Sequence, residues 1–233
     1  MMRVVQIVRV SEQGYSHPYQ CYDEEGVLRW CKGNHTGLRS LISEWVCARV
    51  ARAIGLPVPA CDILRLEPWQ FDEWRRQKGV DLPVLVTEGN PFVFASTHVE
   101  NAKDVMDVER DLRVDNPELL AKIFLFDECI RNADRTDCNS NLLSNAGVHV
   151  IDHNNAFDPT FEPKAFAHSH ILRRFREEAA AETLQAFERQ LGEVVTERFL
   201  DEAWSEMPDA WTDMGGDVLP LDAIKDVLLR RRG

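Results

Sequence analysis

Two neighbouring stretches decide the reading of this chain: Arg131-Asn132-Ala133-Asp134-Arg135-Thr136-Asp137-Cys138-Asn139-Ser140-Asn141-Leu142-Leu143, and then Val148-His149-Val150-Ile151-Asp152-His153-Asn154. The first places three Asn, two Asp and two Arg between a helix of buried pattern and a short hairpin. Asn145-Ala146-Gly147 supplies the hairpin's tight turn. The second stretch is an apolar strand that delivers Asp152 at its end. Asp134 and Asn139 stand five positions apart, and Asp152 eighteen beyond Asp134. A hairpin between them can bring all three oxygens to one edge. Phosphoryl transfer needs such a set: one carboxylate near the attacking hydroxyl, and an amide with a second carboxylate to hold magnesium against the phosphates.

Working outward, the preceding segment reads as a helix from Asn116 to Ile130, capped by Asn116 with Pro117 at its first position. Upstream, residues 4–10 read as a strand, Ser11 to Pro18 as a turn, and Tyr19–Tyr22 with Val27–Lys32 as a hairpin around Gly26. Leu38, Leu41, Ile42, Trp45, Val46, Val50, Ala53 and Ile54 recur at helical steps and predict one apolar stripe, stopped by Gly55 and by Pro57 and Pro59. Strands are predicted over 60–66, 82–87 and 92–96, with a short helix over 68–78. Residues 101–114 are charged and read as peripheral. Helices over 168–179, 182–191, 194–205 and 220–231 complete the chain.

The loop and metal-site pattern resembles that of protein-kinase-like folds, where Asp-x-x-x-x-Asn precedes a hairpin and a metal-binding Asp. The Asn-x-Asp-Arg opening and the Ile-Asp-His ending resemble the HipA-like kinases and, beyond them, the phosphoinositide-kinase-like branch. Leu56-Pro57-Val58-Pro59 and Gly14-Tyr15-Ser16-His17-Pro18 resemble the same family, so the likeness spans residues 4 to 157. It implies Asp134 as catalytic base and Asn139 and Asp152 as ligands of Mg2+. It also implies Lys32, at a strand end, on the phosphates of ATP, held by Glu44 from the following helix. Gly14 and Ser16 would lie in the loop that covers the phosphates. Asn141 stays open between metal contact and brace. The implied fold is α+β and two-lobed: a small antiparallel-sheet lobe with one long helix over 1–98, then a mainly helical lobe over 99–233. Adenine would sit near Ser96 to Glu100. The implied activity is ATP- and magnesium-dependent phosphotransfer to Ser or Thr of a protein, in the cytoplasm. A nucleotide-binding pseudokinase acting as a regulatory module and a small-molecule kinase stay open as alternatives.

The sequence departs from ordinary protein kinases in three places. The loop at Gly14 has a single glycine, Asp152 is followed by His153-Asn154 rather than Phe-Gly, and no Ala-Pro-Glu segment follows. Each site residue also has a plainer reading taken alone: a strand-end lysine, a surface glutamate, a turn serine. Arg135 reads as a brace of the loop, and His153 as a neighbour of the metal site rather than a ligand, since magnesium prefers oxygen. His168 and His170 read as a surface helix start. Trp69, Trp74, Trp204 and Trp211 read as packing anchors, and Arg230–Arg232 as a solvated tail.

The 233 residues carry a net charge of −12, which argues against a nucleic-acid partner. No apolar run is long enough to span a membrane, and residues 1–6 lack the pattern of a secretory leader. Six dispersed cysteines form no C-x-x-C pair and read as reduced, cytosolic thiols.

Overall fold

The structure, a computed structural model, describes residues 1–11, 16–79, 86–112, 116–213 and 218–229. Five strands build one antiparallel sheet: β1 (Val4–Val10), β2 (Tyr19–Asp23), β3 (Leu28–Lys32), β4 (Cys61–Arg65) and β5 (Phe92–Thr97), in the order β1-β2-β3-β5-β4. The β2–β3 hairpin turns at Gly26, whose φ of 78° is the conformation that glycine was expected to supply. The sheet curls until its two edges meet. Arg3 bridges Arg65, and Arg65 N donates to Met2 O at 3.0 Å. Inside the curl Val4, Ile7, Tyr19, Cys21, Cys31, Leu64, Val93 and Ala95 form a closed apolar cluster. Phe71 from α2 (Trp69–Lys78) completes it.

The long helix α1 (Leu38–Ala53) lies between this sheet and the later helices, touching β5 on one side. The remaining elements are a 3-10 turn at Asn34–Thr36, α3 (Val108–Asp111), α4 (Pro117–Cys129), α5 (Pro163–Ser169), α6 (Arg173–Glu178), α7 (Ala181–Val194), α8 (Glu197–Ser205), α9 (Asp209–Thr212) and α10 (Leu221–Leu229). A second sheet joins β6 (Lys103–Asp104), β7 (Leu142–Ser144) and β8 (Val148–Val150) in that order. Asn116 caps α4 as expected, accepting from Leu119 N at 3.0 Å. α4 then packs against α6 and α7.

Several expectations are corrected. α1 has no single apolar stripe: Leu41 to Ala48 are all buried, Ser43 and Glu44 included, because protein covers the helix on more than one side. The helix expected over 168–179 is two helices, α5 and α6, since His170 leaves helical geometry to bridge Thr136 of the polar loop. His170 is therefore buried, not a surface residue, while His168 is exposed. The segment 101–114 is not wholly peripheral, because Val105, Val108 and Leu112 are in the core. Trp69 is 58% exposed rather than a core anchor, whereas Trp211 is fully buried. Of the strand expected over 82–87, residues 82–85 lie outside the described residues, and Thr87 makes only an isolated bridge to Asn90. Gly14 and the arginines 230–232 also lie outside them.

Candidate active site

β3 ends on Lys32, whose side chain turns inward at a buried position opposite Phe94. Its Nζ donates to Glu44 Oε1 and to Asp152 Oδ1, each at 2.6 Å. Glu44 comes from the middle of α1, and its other oxygen accepts from His153 N at 3.0 Å. Glu44 thus ties the strand lysine and the segment after β8 to one helix. Of the three side chains Asp152 is the most open, at 26% exposure against 10% for Lys32 and 3% for Glu44. Burial alone would lower the Lys32 pKa, but Glu44 and Asp152 outweigh it and hold it well above the ordinary value. Burial also opposes the Asp152 charge, yet Lys32 carries that carboxyl below its usual range. Glu44 goes the other way: burial and the Asp152 charge raise it more than Lys32 lowers it. Two carboxylates share one ammonium, and the deeper of them yields.

The polar loop is folded by its own side chains. Thr136 and Asn139 exchange backbone hydrogen bonds of 2.9 and 3.1 Å around Asp137 and Cys138. Asn139 Nδ2 donates to Asp134 O at 3.2 Å, and Asn141 Nδ2 donates to Asp134 Oδ2 at 3.2 Å. Arg135 is fully buried beneath the loop and reaches Asp127 of α4, with Nε donating to Oδ2 at 2.6 Å. The brace expected of Arg135 is therefore present, with a partner the sequence reading missed. Burial pushes the Asp127 carboxyl up, but Arg135 and His170 together outweigh it and hold the group well below the usual carboxylate range. His153 is buried against Phe126 at a ring separation of 5.6 Å, and burial pushes its pKa down to about 4.

A cleft of about 700 Å3 opens between the five-stranded sheet and the polar loop. Lys32, Glu44, Asp134, Asn139, Asn141 and Asp152 all line it. Ser16 lines it too, and its carbonyl meets His35 Nε2 at 2.5 Å. Ala48, Val58, Phe94, Val99, Leu143 and Val150 give the cleft its apolar walls. Ser96 and Thr97 line it as well. Among the described residues no three His, Cys, Asp or Glu side chains gather as a metal cluster. Asn139 and Asp152 still fit magnesium, which takes one or two carboxylates and completes its shell with water and phosphate. Among the described residues, too, no helix is long and apolar enough to cross a membrane.

A family model described as HipA-like kinase matches residues 4–231, nearly the whole chain. The chain belongs to the HipA-like kinase family. No curated protein matches it in sequence. Membership marks it as a kinase-type phosphotransferase, and its α+β build, a small antiparallel sheet with several helices, accords with a kinase-like fold. In this HipA-like kinase the sequence-derived residues converge on one cleft except Gly14, which lies outside the described residues. Sequence reasoning passed over Asp127 and misread His170 as a surface residue. The signal for Asp127 was there: of the acids Asp127 and Glu128 between Phe126 and Cys129, it is the one three residues after Phe124 and seven after Leu120, on the face built for the core. His170 carried no such mark.

Proposed function

We propose that this HipA-like kinase transfers the γ-phosphoryl group of ATP to a hydroxyl, that of a Ser or Thr on a protein, across a cleft between two lobes, 1–98 and 99–233. The observation that carries this reading is one cleft lined by Lys32, Glu44, Asp134, Asn139 and Asp152 together with apolar side chains. Those apolar walls would suit a purine, and the Ser96–Val99 edge its polar rim. Lys32 would leave Asp152 for the phosphates while Glu44 keeps hold of it. Asn139 and Asp152 would hold magnesium, which supplies charge neutralisation on the phosphates. Asp134 would take the proton of the acceptor hydroxyl as its oxygen bonds to the γ-phosphorus. The bond from that phosphorus to the β,γ-bridging oxygen breaks, and ADP leaves. Catalysis here is positional and electrostatic.

Thermal shift with ATP and magnesium, alongside transfer from γ-labelled ATP, tests the reading. Ligand that binds the folded state raises the melting temperature with concentration. Wild type should show a magnesium-dependent rise that Asp152→Ala weakens. Asp134→Asn should keep the rise and lose about a hundredfold or more in transfer, the usual contribution of a general base. A wild-type rise without any transfer would assign the chain to regulatory nucleotide-binding modules instead.

A further inference from the structure

The geometry points to Asn141 as the residue that positions the Asp134 carboxylate, anchored by the buried cluster Asp127–Arg135–His170; this rests on the phosphotransferase reading above. Asn141 Nδ2 lies 3.2 Å from Asp134 Oδ2. Only the amide nitrogen can face a carboxylate, since its oxygen would meet a second acceptor, so the orientation is fixed by chemistry. Engaging Oδ2 leaves the other carboxylate oxygen for the acceptor proton. Without such a bond the carboxylate of a loop residue rotates freely, and a general base works only within hydrogen-bond reach of its proton.

Asn141 is itself held against a backbone preference. Its φ is 47°, in the left-handed region that an L residue adopts at a cost. The Asn141 carbonyl accepts from Arg135 Nη1 at 2.5 Å and from Ile151 N at 3.1 Å. Arg135 Nη1 also donates to Ser140 O at 3.0 Å. The arginine is fixed in turn by Asp127, through Nε to Oδ2 at 2.6 Å and Nη2 to Oδ1 at 3.3 Å. Asn132 Nδ2 donates to Asp127 Oδ1 at 3.1 Å, and His170 Nε2 lies 3.1 Å from Oδ2. Because Leu172 N donates to His170 Nδ1 at 3.0 Å, the ring's proton is on Nε2 and points at Asp127. A rigid helix, a buried ion pair and one residue of left-handed backbone thus connect in sequence to the candidate base. The Ile151 contact adds Asp152, one residue on, to the same anchor. A direct metal role for Asn141 is the competing reading, and the two differ in what a substitution changes.

Asn141→Gly is the decisive variant, because glycine accepts the positive φ and removes the side chain that carries the amide. Steady-state ATP turnover should fall about tenfold to a hundredfold, as for a misplaced catalytic group. The KM for ATP and the magnesium concentration at half-saturation should stay within about twofold of wild type, since no binding group is removed. The melting temperature without ligand should be kept. Asn141→Asp, isosteric but repelling Asp134, should lose more turnover than the glycine variant. Asn139→Ala, by contrast, should raise the magnesium requirement. Wild-type turnover in Asn141→Gly overturns the inference, and so does a magnesium requirement raised as far as in Asn139→Ala. A wild type with neither turnover nor a magnesium-dependent shift sinks the phosphotransferase reading itself, and this inference with it.

Discussion

His170 sits buried between Asp127, Arg135 and Arg173, and burial, helped by the two arginines, lowers its pKa below the ordinary 6.5 against the pull of Asp127. Arg135 has already neutralised that carboxylate, so a second positive charge gains little there. The sign of the consequence follows from proton counting. Below about pH 6.5 the unfolded chain protonates its histidines while folded His170 stays neutral, so the unfolded state binds more protons and stability falls with pH. Protonation would also place a hydrogen on Nδ1, against the donating Leu172 N. His153, pushed down to about 4, adds a loss of the same sign. Urea unfolding at about pH 7.5 and pH 5.5 should therefore show a steeper acid loss in wild type than in His170→Gln, whose amide donates and accepts but does not titrate. Parallel slopes would remove His170 from the account. At this scale Lys32, Glu44, Asp134, Asn139 and Asp152 were legible because each sits at a fixed place in an ordered motif. His170 was not, because its role arises from an encounter across 43 residues that no local pattern encodes, and Asp127 was marked only as an acid in a core helix.

The helix α1 behaves as a beam fixed at several points. Glu44 holds His153 N, and Arg39 Nη2 donates to Phe157 O at 2.5 Å, so the segment after Asp152 is fastened along it. On another face Trp45 Nε1 donates to Ala203 O of α8 at 2.8 Å, and Arg49 pairs with Glu206 at 2.8 Å. The ion pair is exposed and contributes little. The Trp45 bond is buried, and its loss leaves a carbonyl without a donor. Trp45→Phe should cost about 1–3 kcal/mol in chemical denaturation, the range for one unsatisfied buried group plus lost contact. An unchanged midpoint would show that α1 is not fastened there. The sequence marked α1 correctly as a helix but not its surroundings, since a 3.6-residue apolar rhythm identifies one buried face and is silent about a second that carries Ser43 and Glu44. The split of the expected 168–179 helix has the same origin: pairing of His170 with Thr136 overrides local helix preference.

At the scale of the whole molecule, the proposed lobes share one core. The larger apolar cluster contains Ile63 and Phe94 from the sheet, Leu41, Ile42, Trp45, Val46 and Val50 from α1, and Leu200, Trp211, Ile224 and Leu228 from the last helices. Among the described residues, only the cluster inside the curled sheet is drawn from the first hundred residues alone. A change in character near residue 98 was legible in the sequence, strands giving way to helices. Which residues pack together was not, because composition records how apolar a segment is and not what it meets. A boundary at 98 would strand the buried face of α1. Each large apolar side chain forced into water costs about 1.5–3 kcal/mol, and a whole domain is stable by only about 5–15 kcal/mol. Exposing five of them is beyond what the small sheet can absorb. The full chain should therefore unfold in one cooperative transition seen alike by tryptophan fluorescence and circular dichroism. A fragment of residues 1–98 should give a collapsed amide spectrum in two-dimensional NMR with no cooperative melt. A dispersed spectrum and a sharp transition from that fragment would mean instead that the sheet cluster suffices, and that α1 joins the later helices only after its own lobe has folded.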